Sequence, residues 1–229
     1  VVFLQDREYL TYSRAVWMFI KSLRGSDPYD SEVVIWGSER DTFAGRKPID
    51  LALKDFFLNR ITLNSFRMSE QDMQRYLEIL NKHKPKLITA YAQSIYELAR
   101  FAKRKAIPVK KQNAVHTTAM VLHDFMRKEI EEVFQCPVFD HYGSREVGAI
   151  ATECSAHEGL HVLSENVIVE IVDRDGKPCP PGVEGEIVIT SLTNFSMPLI
   201  RYKIGDYGVL SPSSSCSCCC VYPKLEKVI

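Results

Sequence analysis

The run Asp140-His141-Tyr142-Gly143-Ser144-Arg145-Glu146-Val147-Gly148 gathers residue types that suit a nucleotide. Gly143 lets a flat base or a phosphate approach the backbone. The ring of Tyr142 can stack, Ser144 and Arg145 can donate to phosphate oxygens, and the Glu146 carboxylate can hold magnesium. The plainer reading of the same residues is a tight turn leaving a sheet with a surface Arg-Glu pair. A serine-hydrolase elbow is excluded, because Gly143-Ser144-Arg145 lacks the glycine pattern it requires. Further along, Pro198-Leu199-Ile200-Arg201-Tyr202-Lys203-Ile204-Gly205-Asp206 places an aspartate after a glycine at a strand end. One carboxylate there can accept both hydroxyls of a ribose, although an aspartate in that setting is also a common exposed turn residue.

A second chemistry is suggested by the cysteines at 136, 154, 179, 216, 218, 219 and 220. The number is odd and four of them crowd the segment 216–220, which is not how a disulfide framework is spaced. A reducing cytoplasm is the expected compartment. Thiolates packed this densely, beside Ser213-Ser214-Ser215, suit a soft metal such as zinc.

The elements that must position these residues follow from periodicity. Ser69-Glu70-Gln71-Asp72 reads as a capping-box start, with Met73, Tyr76, Leu77 and Leu80 at helical spacing and Pro85 closing the segment. Leu87 to Tyr91 reads as a buried strand. The next helix carries Ile95, Leu98, Ala99 and Ala102 on one face and the solvated triplet Lys103-Arg104-Lys105 on the other. A strand over 113–118 leads to a helix capped by Asp124, with Met126, Ile130, Val133 and Phe134 inward, and residues 137–142 return as a strand. Alternating strands and helices predict an α/β fold, a parallel sheet with flanking helices and right-handed crossovers. Ligands in such sheets bind at the carboxyl ends of strands, here Thr117-Thr118-Ala119 and Tyr142-Gly143-Ser144. Beyond residue 155 the pattern turns β-rich, with strands expected over 166–173, 186–190 and 198–206. The expected organisation is therefore an α/β nucleotide-binding part over 1–155 and a C-terminal β-rich subdomain over 156–229.

Composition removes several function classes. The 229 residues carry 29 Lys plus Arg against 29 Asp plus Glu, so no basic excess points to nucleic acid. No apolar run approaches the ~20 residues of a membrane helix, and the opening Val1-Val2-Phe3 has no signal-peptide pattern.

Tyr142-Gly143-x-x-Glu146 followed by Arg201-Tyr202-x-x-Gly205-Asp206 resembles the adenylate-forming superfamily, in particular its phenylacetate-CoA ligase branch. Within it the chain is most similar to the group associated with capsule biosynthesis and deazaflavin-coenzyme adenylation. That group carries phrases like His161-Val162-Leu163-Ser164-Glu165-Asn166-Val167 and Thr190-Ser191-Leu192-Thr193-Asn194. The likeness covers nearly the whole chain. It implies the large acyl-CoA synthetase-like domain of an enzyme that joins a small-molecule carboxylate to AMP using ATP and Mg2+, then passes the acyl group to coenzyme A.

By position, the resemblance implies that Glu146 helps bind magnesium and Asp206 holds the ribose hydroxyls. It also implies that Thr118-Ala119 and Asp140, His141, Tyr142 and Gly143 line the adenine. The family often has Ser or Thr immediately before the glutamate, to meet the α-phosphate; Arg145 stands there instead, with Ser144 or Arg145 itself as substitute. The branch also often shows Glu-Cys, Gly-Leu-His and Cys-x-Cys where this chain has Glu153-Cys154, Gly159-Leu160-His161 and Cys216-Ser217-Cys218. This implies a structural Zn2+ held by Cys154, His161, Cys216 and Cys218, with His157, Cys219 or Cys220 able to replace one ligand.

The family's Gly/Ser/Thr-rich phosphate loop occurs nowhere in the chain, and its mobile lysine-bearing domain would follow Ile229. The sequence is therefore read as a truncated large domain, expected on its own to bind AMP weakly, if at all, and to be inactive or to turn over only slowly. Lys224 and Lys227 precede the expected hinge and take no catalytic role. Two other readings stay open: a noncatalytic nucleotide-binding or zinc-stabilised interaction module, and an adenylyltransferase acting on a non-acyl acceptor. The oligomeric state is open, a homodimer included.

Overall fold

A computed structural model describes residues 2–37, 48–66, 68–213 and 215–229; Ser214 of the serine run lies outside the described residues. Contacts divide the chain into two compact units, Ser26–Val138 and Val1–Gly25 with Phe139–Ile229. The division at 138/139 differs from the compositional change near residue 155.

The unit Ser26–Val138 holds β1 (Glu32–Trp36), α2 (Pro48–Phe57), β2 (Arg60–Asn64), α3 (Glu70–His83), β3 (Leu87–Tyr91), α4 (Ala92–Arg104), β4 (Val115–Thr118) and α5 (Asp124–Phe134). Its strands pair in parallel in the order β2-β1-β3-β4. The capping box that starts α3 forms as the spacing predicts: the Ser69 hydroxyl accepts from the Asp72 N–H at 3.1 Å and the Ser69 N–H donates to the Asp72 carboxylate at 3.1 Å. The core joins Leu77 and Leu80 of α3, Ile95 and Leu98 of α4, Ile130 and Phe134 of α5, and strand residues Val33, Ile35, Ile88 and Val115. Asp124 does not cap α5; His123 holds the cap position without a side-chain bond, and Asp124 is the first helical residue, where its charge still favours the helix N-terminus. The triplet Lys103-Arg104-Lys105 pairs with carboxylates: Lys103 with Glu132 at 2.8 Å, Arg104 and Lys105 with Glu70 at 3.0 and 2.9 Å.

The other unit contains α1 (Arg7–Ser22), β5 (Val138–Ser144, whose first residue closes the parallel unit), β6 (Gly148–Glu153), β7 (Leu160–Val162), β8 (Val167–Val172), β9 (Glu184–Ser191), β10 (Tyr202–Leu210) and β11 (Lys224–Val228). These strands run antiparallel in the order β5-β6-β7-β11-β10-β9-β8. Val147, Ile150, Val162, Ile171, Ile187, Ile189 and Leu225 fill its core. Helix α1 is capped by Asp6, whose carboxylate accepts from the Tyr9 N–H at 2.7 Å, and packs Ile20 against Ala149 and Leu163. The strand expected over 198–206 starts later, at Tyr202, and runs on to Leu210. Among the described residues, no helix is long and apolar enough to cross a membrane.

Candidate functional site

The hairpin of β5 and β6 carries the nucleotide-like segment. Its register shifts between Tyr142 and Gly143, and the turn 145–147 follows. The Ser144 hydroxyl accepts from the Glu146 and Val147 N–H groups at 3.2 and 3.3 Å, which folds the turn back on itself. Its own hydrogen can still be donated. Arg145 is exposed at the tip and Glu146 half-buried beside it. Gly143 is required by the packing: a Cβ there would lie 2.7 Å from the Gly148 carbonyl oxygen and 3.1 Å from His141 Nε2.

Asp206 reaches this hairpin from β10. The pairing of β10 with β9 is irregular between Lys203 and Tyr207, and Gly205 inside that interval has φ of 94°. The displaced backbone brings Asp206 Oδ2 to 2.7 Å from the Tyr142 hydroxyl, which donates. Two motifs 64 residues apart are thereby joined. Burial first, then the hydrogen bond to Asp206, pushes Tyr142 up from its ordinary pKa, so its hydroxyl stays a donor. The bond occupies one of the roughly four lone-pair directions of the carboxylate.

Behind the hairpin lies a polar interior that sequence reasoning missed. Arg24, 6% exposed, donates from Nη1 to the Ile20 carbonyl at 2.9 Å and from Nη2 to the Thr152 hydroxyl, and its guanidinium sits 5.2 Å from the Phe139 ring centre. Burial lowers its pKa to about 10, with Glu153 and Asp140 acting in the opposite direction, so it remains a cation. The buried Glu153 carboxylate accepts from the Asp140 N–H at 2.7 Å and lies 3.2 Å from His157 Nδ1. His141, which the resemblance places beside the adenine, is 4% exposed, with its ring 5.0 Å from that of Trp17. Burial, and secondarily the Arg24 charge, push its pKa down to about 3, leaving it neutral. The only sequence signal for this interior is Arg24 itself, a charge just past an amphipathic helix.

In the parallel unit, β4 ends at Thr118, which is buried, and Ala119 follows with φ of 66°. A left-handed backbone at a non-glycine residue is uncommon and costs energy, and Lys84 and Gln135 adopt it too, as helix C-caps. His116 is buried within the same strand.

The four expected metal ligands converge, their ligand atoms all within 4.8 Å of one another. Cys154 follows β6, His161 lies in β7, and Cys216 and Cys218 occupy the turn before β11. Lys224, also buried, donates from Nζ to the Ser215 carbonyl at 2.7 Å.

Comparison with known proteins agrees with this architecture. A sequence model of the AMP-binding enzyme family matches residues 56–197. The chain belongs to that family. It is 30% identical over 178 residues to protein CapK of Staphylococcus aureus, covering 74% of this chain and 38% of the relative. It is also 30% identical over 154 residues to the phenylacetate-coenzyme A ligase of Thermus thermophilus, covering 63% of this chain and 34% of the relative. These relatives place it in the phenylacetate-CoA ligase and CapK-like branch of the adenylate-forming enzymes, and the chain spans little more than a third of their length. Among solved structures, an open form of 2-hydroxyisobutyryl-CoA ligase in complex with 2-HIB-AMP and CoA aligns with TM-score 0.77 at 19% identity, over 99% of this chain and 50% of that one. A long-chain-fatty-acid-CoA ligase from Archaeoglobus fulgidus aligns with TM-score 0.67 at 10% identity, over 99% and 48%. At these identities the likeness establishes the fold: this AMP-binding chain has the α/β architecture of acyl-CoA synthetases.

Proposed function

We propose that the protein activates a small-molecule carboxylate with ATP, forming an acyl-adenylate and pyrophosphate, and then transfers the acyl group to the thiol of coenzyme A. The observation that carries this reading is the hydrogen bond between Tyr142 and Asp206, which sets the Asp206 carboxylate against the hairpin that carries Tyr142. Asp206 accepts from the ribose hydroxyls while Tyr142 fixes its orientation and offers a ring face to the nucleotide. The Ser144 hydroxyl and the Arg145 guanidinium donate to α-phosphate oxygens from the turn at the hairpin tip.

Glu146 is the residue that would hold magnesium, and a carboxylate on a turn whose backbone N–H groups are taken up by the Ser144 hydroxyl fits that cation's preference for oxygen ligands. Bound there, magnesium supplies positive charge against the phosphate oxygens. The remainder of the rate is assigned to positioning: the carboxylate oxygen attacks the α-phosphorus in line with the departing pyrophosphate, and donors on rigid strands meet the developing charge.

The test is AMP binding by calorimetry to the wild type and to Asp206→Asn, with 2′- and 3′-deoxy AMP as companions. Loss of a charged acceptor that serves two hydroxyls costs about 1.5–3 kcal/mol, roughly 10- to 100-fold in affinity. Asp206→Asn is expected to bind AMP weakly and to distinguish AMP poorly from the deoxynucleotides. Equal affinities of the two proteins for AMP would overturn the assignment of the ribose to Asp206.

A further inference from the structure

We propose that Asn166 is a positioning residue for the turn that presents Glu146: its buried side-chain amide, held in one orientation by Thr193, fixes the backbone leaving that turn and so sets where the Glu146 carboxylate stands. This role rests on the assignment of magnesium to Glu146. It also gives a use to two stretches of sequence that the nucleotide site leaves aside, since Asn166 belongs to residues 161–167 and Thr193 to residues 190–194.

Asn166 is 3% exposed and lies in the turn between β7 and β8. The β8–β9 ladder places it: Val167 pairs with Ser191, and one step further the Leu192 N–H donates to the Asn166 carbonyl at 3.0 Å. The Asn166 N–H donates to the Leu163 carbonyl at 2.8 Å, so both main-chain groups are satisfied and the side chain is available for other bonds. Its Nδ2 donates to the Ala149 carbonyl at 2.6 Å and to the Val147 carbonyl at 3.4 Å, and its Oδ1 accepts from the Thr193 hydroxyl at 3.0 Å. Carbonyls can only accept, so a reversed amide would set Oδ1 against two oxygens, and the Thr193 hydroxyl secures the orientation shown. Thr193 itself has a fixed base. Next to it Asn194 donates from Nδ2 to the Leu4 carbonyl at 2.9 Å, and the Ser196 hydroxyl donates to the Asp6 carboxylate at 2.6 Å.

The two carbonyls held by Asn166 flank Gly148. In an extended strand, groups two residues apart are separated by roughly 6.5–7 Å, too far for one nitrogen to bond both at these distances. Gly148, at φ of 72°, bends the chain between them. The turn is thus held from two sides. On entry the Ser144 hydroxyl takes the Glu146 and Val147 N–H groups, and on exit Asn166 takes the Val147 and Ala149 carbonyls. The Glu146 backbone lies between these two attachments, with the Val147 side chain fully buried beside it. An asparagine that merely closes its own turn bonds its near neighbours; this one bonds residues 17 and 19 positions earlier.

The experiment compares wild type, Asn166→Ala, Thr193→Val and Thr193→Ser in two measurements on the full-length protein. Hydrogen exchange, read by mass spectrometry on peptides covering 144–150, tests the attachment itself. It is expected to accelerate there about tenfold or more in Asn166→Ala and by less in Thr193→Val, with β10 and β11 unchanged. Carboxylate-dependent pyrophosphate exchange tests the consequence. The Mg2+ concentration for half-maximal rate is expected to rise about tenfold in Asn166→Ala, within the roughly hundredfold that a 1 Å misplacement can cost, while KM for the carboxylate stays within about twofold. Thr193→Ser keeps the hydroxyl and is expected to match wild type in both. In a Glu146→Gln background, Asn166→Ala is expected to change the Mg2+ requirement no further, because its effect passes through that carboxylate. Should Asn166→Ala fail to fold, Thr193→Val carries both measurements. Unchanged hydrogen exchange over 144–150 overturns the attachment. Accelerated hydrogen exchange with an unaltered Mg2+ requirement, or an equal rise in the Glu146→Gln background, overturns the positioning role. A wild type that exchanges pyrophosphate with no carboxylate defeats the functional reading and with it the link to magnesium, and hydrogen exchange still decides whether Asn166 holds the turn.

Discussion

Replacing Arg24 by methionine should be among the most damaging single changes in the unit that carries the hairpin, though Arg24 touches no proposed ligand. Its guanidinium is 6% exposed, binds Thr152 and the Ile20 carbonyl, and faces Glu153, which is itself 6% exposed. Methionine retains most of the stem's packing, so the loss isolates the charge. Removing one of two opposite buried charges costs up to about 3–5 kcal/mol, because the other remains in a poor solvent. The Asp140 N–H and the His157 ring still attend Glu153, which puts the expected cost near the lower end, about 3 kcal/mol. At about 2–4 °C per kcal/mol for a chain of this size, the melting transition of this unit should fall by roughly 6–12 °C. The assay is a urea and thermal melt of wild type, Arg24→Met, Glu153→Gln and the double variant. Neutralising Glu153 removes the stranded charge, so the double variant should recover at least about 1 kcal/mol relative to the sum of the singles. A loss below about 1 kcal/mol for Arg24→Met, or strict additivity in the cycle, would refute the claim that these charges support one another.

Two further outcomes follow. Gly143→Ala forces a Cβ to within 2.7 Å of the Gly148 carbonyl and should destabilise the hairpin by about 1–3 kcal/mol, read as a lower urea midpoint, with weaker AMP binding at temperatures where the protein is still folded. His141 titrates near 6.5 when unfolded and near 3 when folded, so between those values the unfolded state binds the extra proton and stability falls as pH falls. At pH 5 this amounts to about 2 kcal/mol, and His141→Gln should flatten the wild-type pH profile of stability between pH 6.5 and 4; an unchanged slope would refute it.

What the sequence disclosed depended on whether the signal was local. Ser69 and Asp72 are three residues apart and bond as their spacing requires, and the apolar rows of α3, α4 and α5 all face the core. The Asp124 cap failed because the residue before it, His123, already has the extended backbone of a cap. Strand β1, with Val33-Val34-Ile35-Trp36, is an apolar run too short for periodicity to tell a strand from a buried helix turn, and β10 starts at Tyr202, where its ladder with β9 begins, rather than at Pro198. Site residues were legible through motifs, but their meeting was not. The bond from Tyr142 to Asp206 needs two strand irregularities, and the cysteine cluster needs β7 to pair with β6 and β11. Arg24 is only a weak signal, since its partner Thr152 and the facing charge of Glu153 lie more than a hundred residues away and an arginine near a helix C-terminus ordinarily faces water.

The most direct measurement of the central claim is carboxylate-dependent exchange of labelled pyrophosphate into ATP by the full-length protein, across aromatic, aliphatic and hydroxy acids. The account predicts exchange that requires Mg2+, depends on one class of carboxylate and falls at least tenfold in Glu146→Gln. Exchange independent of any carboxylate, or supported only by a non-acyl acceptor such as a phosphate-bearing cofactor, would contradict it.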